Sequence, residues 1–146
     1  MNIDIVKLED IDVSLLNKFK AEEWPEADRE HYGEHNLDFS KNFYTLVARN
    51  KVDNKILAYI SFFIELGVAQ IDSLIVGKNS RRNGLAKKLI NEVEVQVKSL
   101  GVHKIRLETG VDWKAKFLYE KLGYNTRAVL PNYYANRDFV LMDKDI

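Results

Sequence analysis

The chain has 146 residues, 46% hydrophobic and 11% aromatic, which is enough apolar material for one compact core and too little for two, so a single domain over residues 1–146 is expected. Lysine and arginine balance aspartate and glutamate to a formal net charge of zero, which gives no global pull toward nucleic acid or an anionic membrane. The absence of cysteine excludes disulfides, thiolate catalysis and sulfur-ligated zinc.

The opening "MNIDIVKLEDID" is acidic and alternating, without the basic region and apolar run of a signal peptide. No later stretch reaches the roughly 18 to 20 apolar residues of a membrane span, so a cytoplasmic location is expected. Within that opening, "NIDIVKL" (residues 2–8) alternates apolar and polar and reads as a strand. Asp10 or Asp12 is placed to cap a helix whose apolar face holds Val13, Leu15, Leu16 and Phe19, and Pro25 marks a break or the first turn of a second helix.

"FYTLVAR" (43–49) and "KILAYISFFIEL" (55–66) are rich in branched and aromatic residues, and the polar "NKVDN" between them supplies a hairpin turn. "VAQIDSLIV" (68–76) follows as a third strand, giving an antiparallel meander. A helix is predicted from about Gly84 to Leu100, with Leu85, Leu89, Val93, Val97 and Leu100 on one face and Gly101 at its close. "HKIRLET" (103–109) is a short strand, Asp112 is placed to cap a helix ending at Gly123, and "YNTRAVL" and "DFVLMDK" form the last two strands, joined through Pro131 and "NYYANR". That order is a single-sheet α/β or α+β domain with helices on the sheet faces.

Charge is uneven along this order. Residues 1–40 hold eleven acids against four bases, a net of 4 − 11 = −7, whereas residues 78–106 hold eight bases against Glu92 and Glu94, a net of +6. Solvated helix faces of opposite sign account for this, and so do two ligands of opposite charge. The stretch "NSRRNGLAKKLI" (79–90) favours an anion at the basic segment. A strand runs there into a short turn and then a helix, so unpaired N–H groups and the positive end of the helix dipole face one space. Gly84 and Ala86 leave the main chain open to a phosphate, and Arg81 and Arg82 add charge. The stretch is neither a G-x-x-x-x-G-K-[ST] loop nor a G-x-G-x-x-G turn, which removes the main support for kinase-like and Rossmann readings.

R-x-x-G-x-A at Arg81, Gly84 and Ala86, after a strand ending in Val76, resembles the acyl-coenzyme A signature of the GNAT superfamily of N-acetyltransferases. "AKFLYEKLGY" (115–124) is similar to the family's A-x-x-L-Y-x-x-x-G-F/Y pattern, with "RLETG" before it. The resemblance implies a mixed, mostly antiparallel sheet of about seven strands with helices on both faces. It implies acetyl-CoA as cosubstrate, with Leu74, Ile75 and Val76 offering strand backbone to the pantetheine arm. By the same resemblance Arg81, Arg82, Asn83, Gly84, Leu85, Ala86 and Lys87 hold the pyrophosphate, and Asp112 stands where many relatives carry a cofactor-contacting asparagine. Tyr119 occupies the position of the family's frequent general acid.

Aminolysis of a thioester needs a neutral amine, a place for the oxyanion and a proton for the departing thiolate. Tyr119 is a phenol suited to that donation, while Glu108 and Asp72 are rival bases; core packing for the tyrosine and ion pairing for the carboxylates are the structural alternatives. Asp112 is equally explained as a helix N-cap. "HYGEH" (31–35) fits the zinc pattern H-x-x-E-H, but Gly33 weakens the helix that geometry needs, so no metal is expected. A noncatalytic acyl-CoA binding or sensing module is the alternative to an enzyme. The expected acceptor is a small-molecule, peptide or protein amine, entering where Glu22, Glu23 and Trp24 and the aromatic faces of Tyr133 and Tyr134 favour a cation. No nucleic acid or membrane partner is expected, and the protein is expected to be a monomer or a homodimer.

Overall fold

The computed structural model describes residues 1–33 and 37–146, which fall into two compact units, residues 1–38 and 39–146. In the first unit a single turn of 3-10 helix, Asp10–Asp12, leads into helix α1, Val13–Tyr32. Two expectations are corrected there. Residues 2–8 form no strand and are exposed throughout, because alternation names the two faces of a strand without supplying a neighbour to hydrogen-bond. Pro25 neither ends nor starts a helix but lies inside α1. It removes one intrahelical hydrogen bond, and the helix continues over it to a left-handed cap at Gly33. Asp12 does stand at the N-cap position of α1, without a capping side-chain bond.

In the second unit, β1 (Asn42–Arg49), β2 (Ile56–Glu65) and β3 (Val68–Val76) form the expected antiparallel meander. Helix α2 (Leu85–Ser99), β4 (Lys104–Gly110), helix α3 (Lys114–Lys121), β5 (Asn125–Leu130) and β6 (Phe139–Asp145) follow. Among the described residues the sheet has six strands in the order β1-β2-β3-β4-β6-β5, one fewer than about seven, and the missing strand is the one expected at residues 2–8. All neighbours are antiparallel except β3 and β4.

The core lies between the sheet and α2. Leu89, Ile90, Val93 and Val97 of α2 are buried against Ala58, Ile60, Phe62, Ala69, Ile105 and Leu107 of the strands. Burial of those four side chains is worth on the order of 6 to 12 kcal/mol as an upper estimate. Leu100, expected on the same face, is instead exposed at the end of the helix, where Gly101 turns the chain away.

Two irregularities position the site. The parallel pairing of β3 with β4 covers only Val68–Gln70 against Lys104–Arg106. Beyond it β3 stays paired to β2 as far as Val76, and β4 stays paired to β6 as far as Gly110, so the sheet divides into a wedge. The second irregularity is a bulge in β3, where Ser61 pairs with Ser73 and Phe62 with Ile71, leaving Asp72 as the extra residue.

Candidate active site

The open end of the wedge is where β3 turns into α2 and β4 turns into α3, so two helix N-termini are carried to one place. A cleft of about 400 Å³ lies there. Its walls are Val76 at the end of β3, Arg81, Arg82, Gly84, Leu85, Ala86 and Lys87 from the turn and first coil of α2, and Lys114, Ala115 and Leu118 from α3. Seven of the eleven residues expected to hold the cofactor therefore converge. Leu74 and Ile75 lie further back on β3, Asn83 donates to the Ser80 carbonyl at 3.3 Å, and none of the three lines this cleft.

Gly84 is left-handed, with φ +71°, and a side chain placed on it would project into open space, so the backbone there is bare for want of a side chain alone. Arg82 is also left-handed, with φ +63°, an uncommon choice for a residue carrying a Cβ. The Arg81 Nε donates to the Val76 carbonyl at 3.3 Å, which ties the turn to the end of the strand. Lys88 N–H donates to the Gly84 carbonyl and begins the helical ladder, and among the described residues no side chain caps α2. The N–H groups of Leu85, Ala86 and Lys87 are thus the donors that an anion in the cleft would meet.

Asp112 corrects an expectation. Trp113, not Asp112, takes the N-cap position of α3, and among the described residues no side chain caps that helix. Asp112 is exposed and does not line the cleft. The ring of Trp113 instead packs on Gly110 and, edge-on at 5.3 Å, on Phe139.

Tyr119 lies on α3, 5% exposed, and meets Tyr124 edge-on at 5.6 Å. Burial pushes its phenol up to about 12. Its hydroxyl has no protein partner among the described residues and is not sealed from solvent. Glu108 belongs to the opposite face of the sheet, because on β4 it alternates with the buried Leu107 and Thr109. Its side chain is 13% exposed and accepts from Arg106 Nη2 at 3.2 Å. The phenol of Tyr134, in the loop between β5 and β6, is raised to about 12 first by its hydrogen bond to Glu108 and then by that carboxylate's charge. Asp72, the rival, is the exposed bulge residue without an ion pair among the described residues.

Sequence reasoning missed Lys114 and the Tyr134–Glu108 pair. Lys114 has a local signature, a cation in a helical first turn that holds no acid. The pair has none, since residues 26 positions apart in sequence meet only through the pairing of β4 with β6. Of the remaining expectations, His31 is in the last turn of α1 with its ring against the Ala27 carbonyl, while Glu34 and His35 of "HYGEH" lie outside the described residues. Glu22, Glu23 and Trp24 are on α1 in the first unit, and Tyr133 and Tyr134 are in the second. No helix among the described residues is long and apolar enough to cross a membrane.

Residues 12–124 match the model of the acetyltransferase (GNAT) family. A ribosomal protein bS18-alanine N-acetyltransferase of Haemophilus influenzae is 29% identical over 82 residues, 56% of each chain, so the match spans about half the length of that relative. Among solved structures, an acetyltransferase from Bacillus cereus superposes with a TM-score of 0.74 at 20% identity, covering 99% of this chain and 98% of that one. An acetyltransferase of Bacillus subtilis in complex with CoA superposes with a TM-score of 0.62 at 18% identity, covering 83% of each chain. At those identities the likeness is one of fold.

Proposed function

The chain belongs to the GNAT acetyltransferase family and is an acyltransferase, and from that premise we propose that it moves an acetyl group from acetyl-CoA to a primary amine, most naturally the α-amino group of a peptide. The observation that carries this reading is the wedge. An uncapped, cation-lined helix N-terminus stands at its open end, with a buried phenol on the helix side of the sheet and a held carboxylate on the other. In this reading the diphosphate lies on the Arg81–Lys87 turn and the pantetheine arm runs along the unpaired edge of β3, against the backbone of Leu74, Ile75 and Val76. The thioester then sits between the two faces.

The amine attacks the thioester carbon from the Glu108 face, and the new N–C bond forms as the carbonyl oxygen takes up charge. An N–H of the β3 edge donates to that oxyanion in a preorganised site. Glu108 takes the excess proton from nitrogen, directly or through water, the C–S bond breaks, and CoA leaves as thiolate. Tyr119 donates a hydrogen bond to the departing sulfur. Its pKa of about 12 keeps it protonated at neutral pH. An alkyl thiol has a reference value of about 8.5, so complete proton transfer to sulfur is uphill by roughly 3 to 4 units and hydrogen bonding is the larger part of its action. An α-amino group, with a reference value of about 8, keeps a far larger neutral fraction near physiological pH than a lysine amine of about 10.4, which suits direct attack on the thioester. The Haemophilus influenzae relative, whose name specifies an alanine amino group on a ribosomal protein, points the same way.

Thiol release from acetyl-CoA over a panel of alanine-initiated peptides, other N-terminal peptides, polyamines, aminoglycosides and free amino acids tests the reading. Turnover on N-terminal peptides is the expected result. Acetyl-CoA binding without turnover on any amine would replace it with a noncatalytic acyl-CoA module, and the absence of binding would remove both.

A further inference from the structure

The cleft at the open end of the wedge holds four cations, and one comes from a different helix than the other three. Arg81, Arg82 and Lys87 belong to the α2 turn, whereas Lys114 is the first residue of α3. Among the described residues no carboxylate lines the cleft. None of the four has an acidic partner among the described residues, while three other lysines of the same unit are paired: Lys104 with Asp145 at 2.8 Å, Lys116 with Glu120 at 2.5 Å and Lys144 with Glu94 at 2.9 Å. The first turns of both α2 and α3 hold no acid and carry lysines, Lys87 and Lys88 in one and Lys114 and Lys116 in the other. The positive end of a helix dipole disfavours a cation there. Both helices that end on this cleft break the same local rule, and such breaks mark places where a ligand supplies the missing charge.

The charges also count. A diphosphate diester brings two negative charges and is met by the α2 turn alone, with its free N–H groups, two arginines and Lys87. A further phosphate monoester brings about 1.5 to 2 more, which the fourth cation on the facing wall would balance. We infer that Lys114 is a specificity residue for a second phosphoryl group on the cofactor, a phosphate monoester separate from the diphosphate. This inference rests on the proposed use of acetyl-CoA, which carries such a monoester on its ribose. Dephospho-CoA has the same diphosphate, pantetheine and thiol without it.

Calorimetric titration of the wild-type protein, Lys114→Gln and Arg81→Gln with CoA and with dephospho-CoA at low salt decides the matter. The wild type is expected to prefer CoA by about three- to tenfold, the range of a partly solvated ion pair. Lys114→Gln should lose that preference by weakening CoA alone, whereas Arg81→Gln should weaken both ligands. Removing a cation from an exposed helix N-terminus does not threaten folding, and an unchanged or raised melting temperature in Lys114→Gln verifies this. Unchanged CoA affinity in Lys114→Gln, or an equal loss for both ligands, overturns the inference while leaving the acetyl-CoA reading intact. Failure of the wild type to bind either ligand overturns the acetyl-CoA reading, and the inference with it.

Discussion

Two left-handed residues two positions apart in the turn between β3 and α2 make a paired perturbation with opposite expected signs. Arg82 has φ +63° and Gly84 has φ +71°. A residue with a Cβ pays about 1 to 2 kcal/mol in that region, and replacing it by glycine returns about 0.5 to 1 kcal/mol to the unfolded chain as entropy. Arg82→Gly should therefore be neutral or stabilising by up to about 1 kcal/mol, a rise of about 2 to 4 °C in melting temperature for a chain of this size. The same change removes a cation from the cleft and should raise the dissociation constant for CoA by about three- to tenfold. Gly84→Ala has no atom within 4 Å of the new methyl group, so its cost is backbone strain alone, about 1 kcal/mol. In the proposed binding mode that methyl group stands where a phosphate touches the main chain, and CoA affinity should fall more than tenfold. Thermal unfolding by circular dichroism and calorimetry on the same samples separate the two effects. If Arg82→Gly loses stability while keeping full affinity, or Gly84→Ala binds CoA as the wild type does, the geometry assigned to this turn is wrong.

Tyr119→Phe should lower kcat by about one to two orders of magnitude with CoA affinity nearly intact. Because burial raises the phenol to about 12 and its protonated form is the useful one, wild-type activity should show no loss from this group until the pH passes about 11, a limb that steady-state pH profiles can locate. Glu108→Gln should depress kcat, while Asp72→Asn should leave it in place; the reverse outcome would transfer the base to Asp72. Gly110→Ala places a methyl group 2.5 Å from the Trp113 ring without any backbone strain, so Trp113 must shift and the start of α3 with it. A stability loss of about 1 to 3 kcal/mol in denaturant unfolding is expected, together with weaker CoA binding.

The bare, cation-lined turn from Arg81 to Lys87 was legible in the sequence because its features leave a local trace: small residues that leave the backbone open, cations beside them, and a 3.6-residue apolar period behind. The apolar stripe of α2 was legible for the same reason, since Leu89, Val93 and Val97 follow that period and are buried. Residues 2–8 carried a strand's alternation but no information about a partner. Pro25 was misread because local propensity disfavours proline inside a helix, whereas α1 accommodates it with the loss of a single bond. Asp112 was misplaced as a cap because cap offsets of one residue are not resolved by composition, and Trp113 reached that position through its packing on Gly110 and Phe139.

The bulge at Asp72 shows how a departure from regularity can itself be read. Along β3 the residues packed toward α2 are Ala69, Ile71, Leu74 and Val76, a spacing of two, three and two. A regular strand would continue from Ile71 to Ser73 and Ile75, placing a hydroxyl in the core and Leu74 and Val76 outside it. The extra residue resets the alternation, returns Leu74 and Val76 to the core and leaves Ser73 on the other face, 2.6 Å from the Ser61 hydroxyl. The bulge lies just beyond Gln70, the last β3 residue paired with β4, where β3 ceases to serve the sheet on that side. One inserted aspartate thus keeps the strand anchored in the core while its far edge stays unpaired, and that edge is the one the proposed mechanism gives to the pantetheine arm. Asp72 is therefore explained by its backbone, and the proposed mechanism gives proton transfer to Glu108, the carboxylate paired with Arg106.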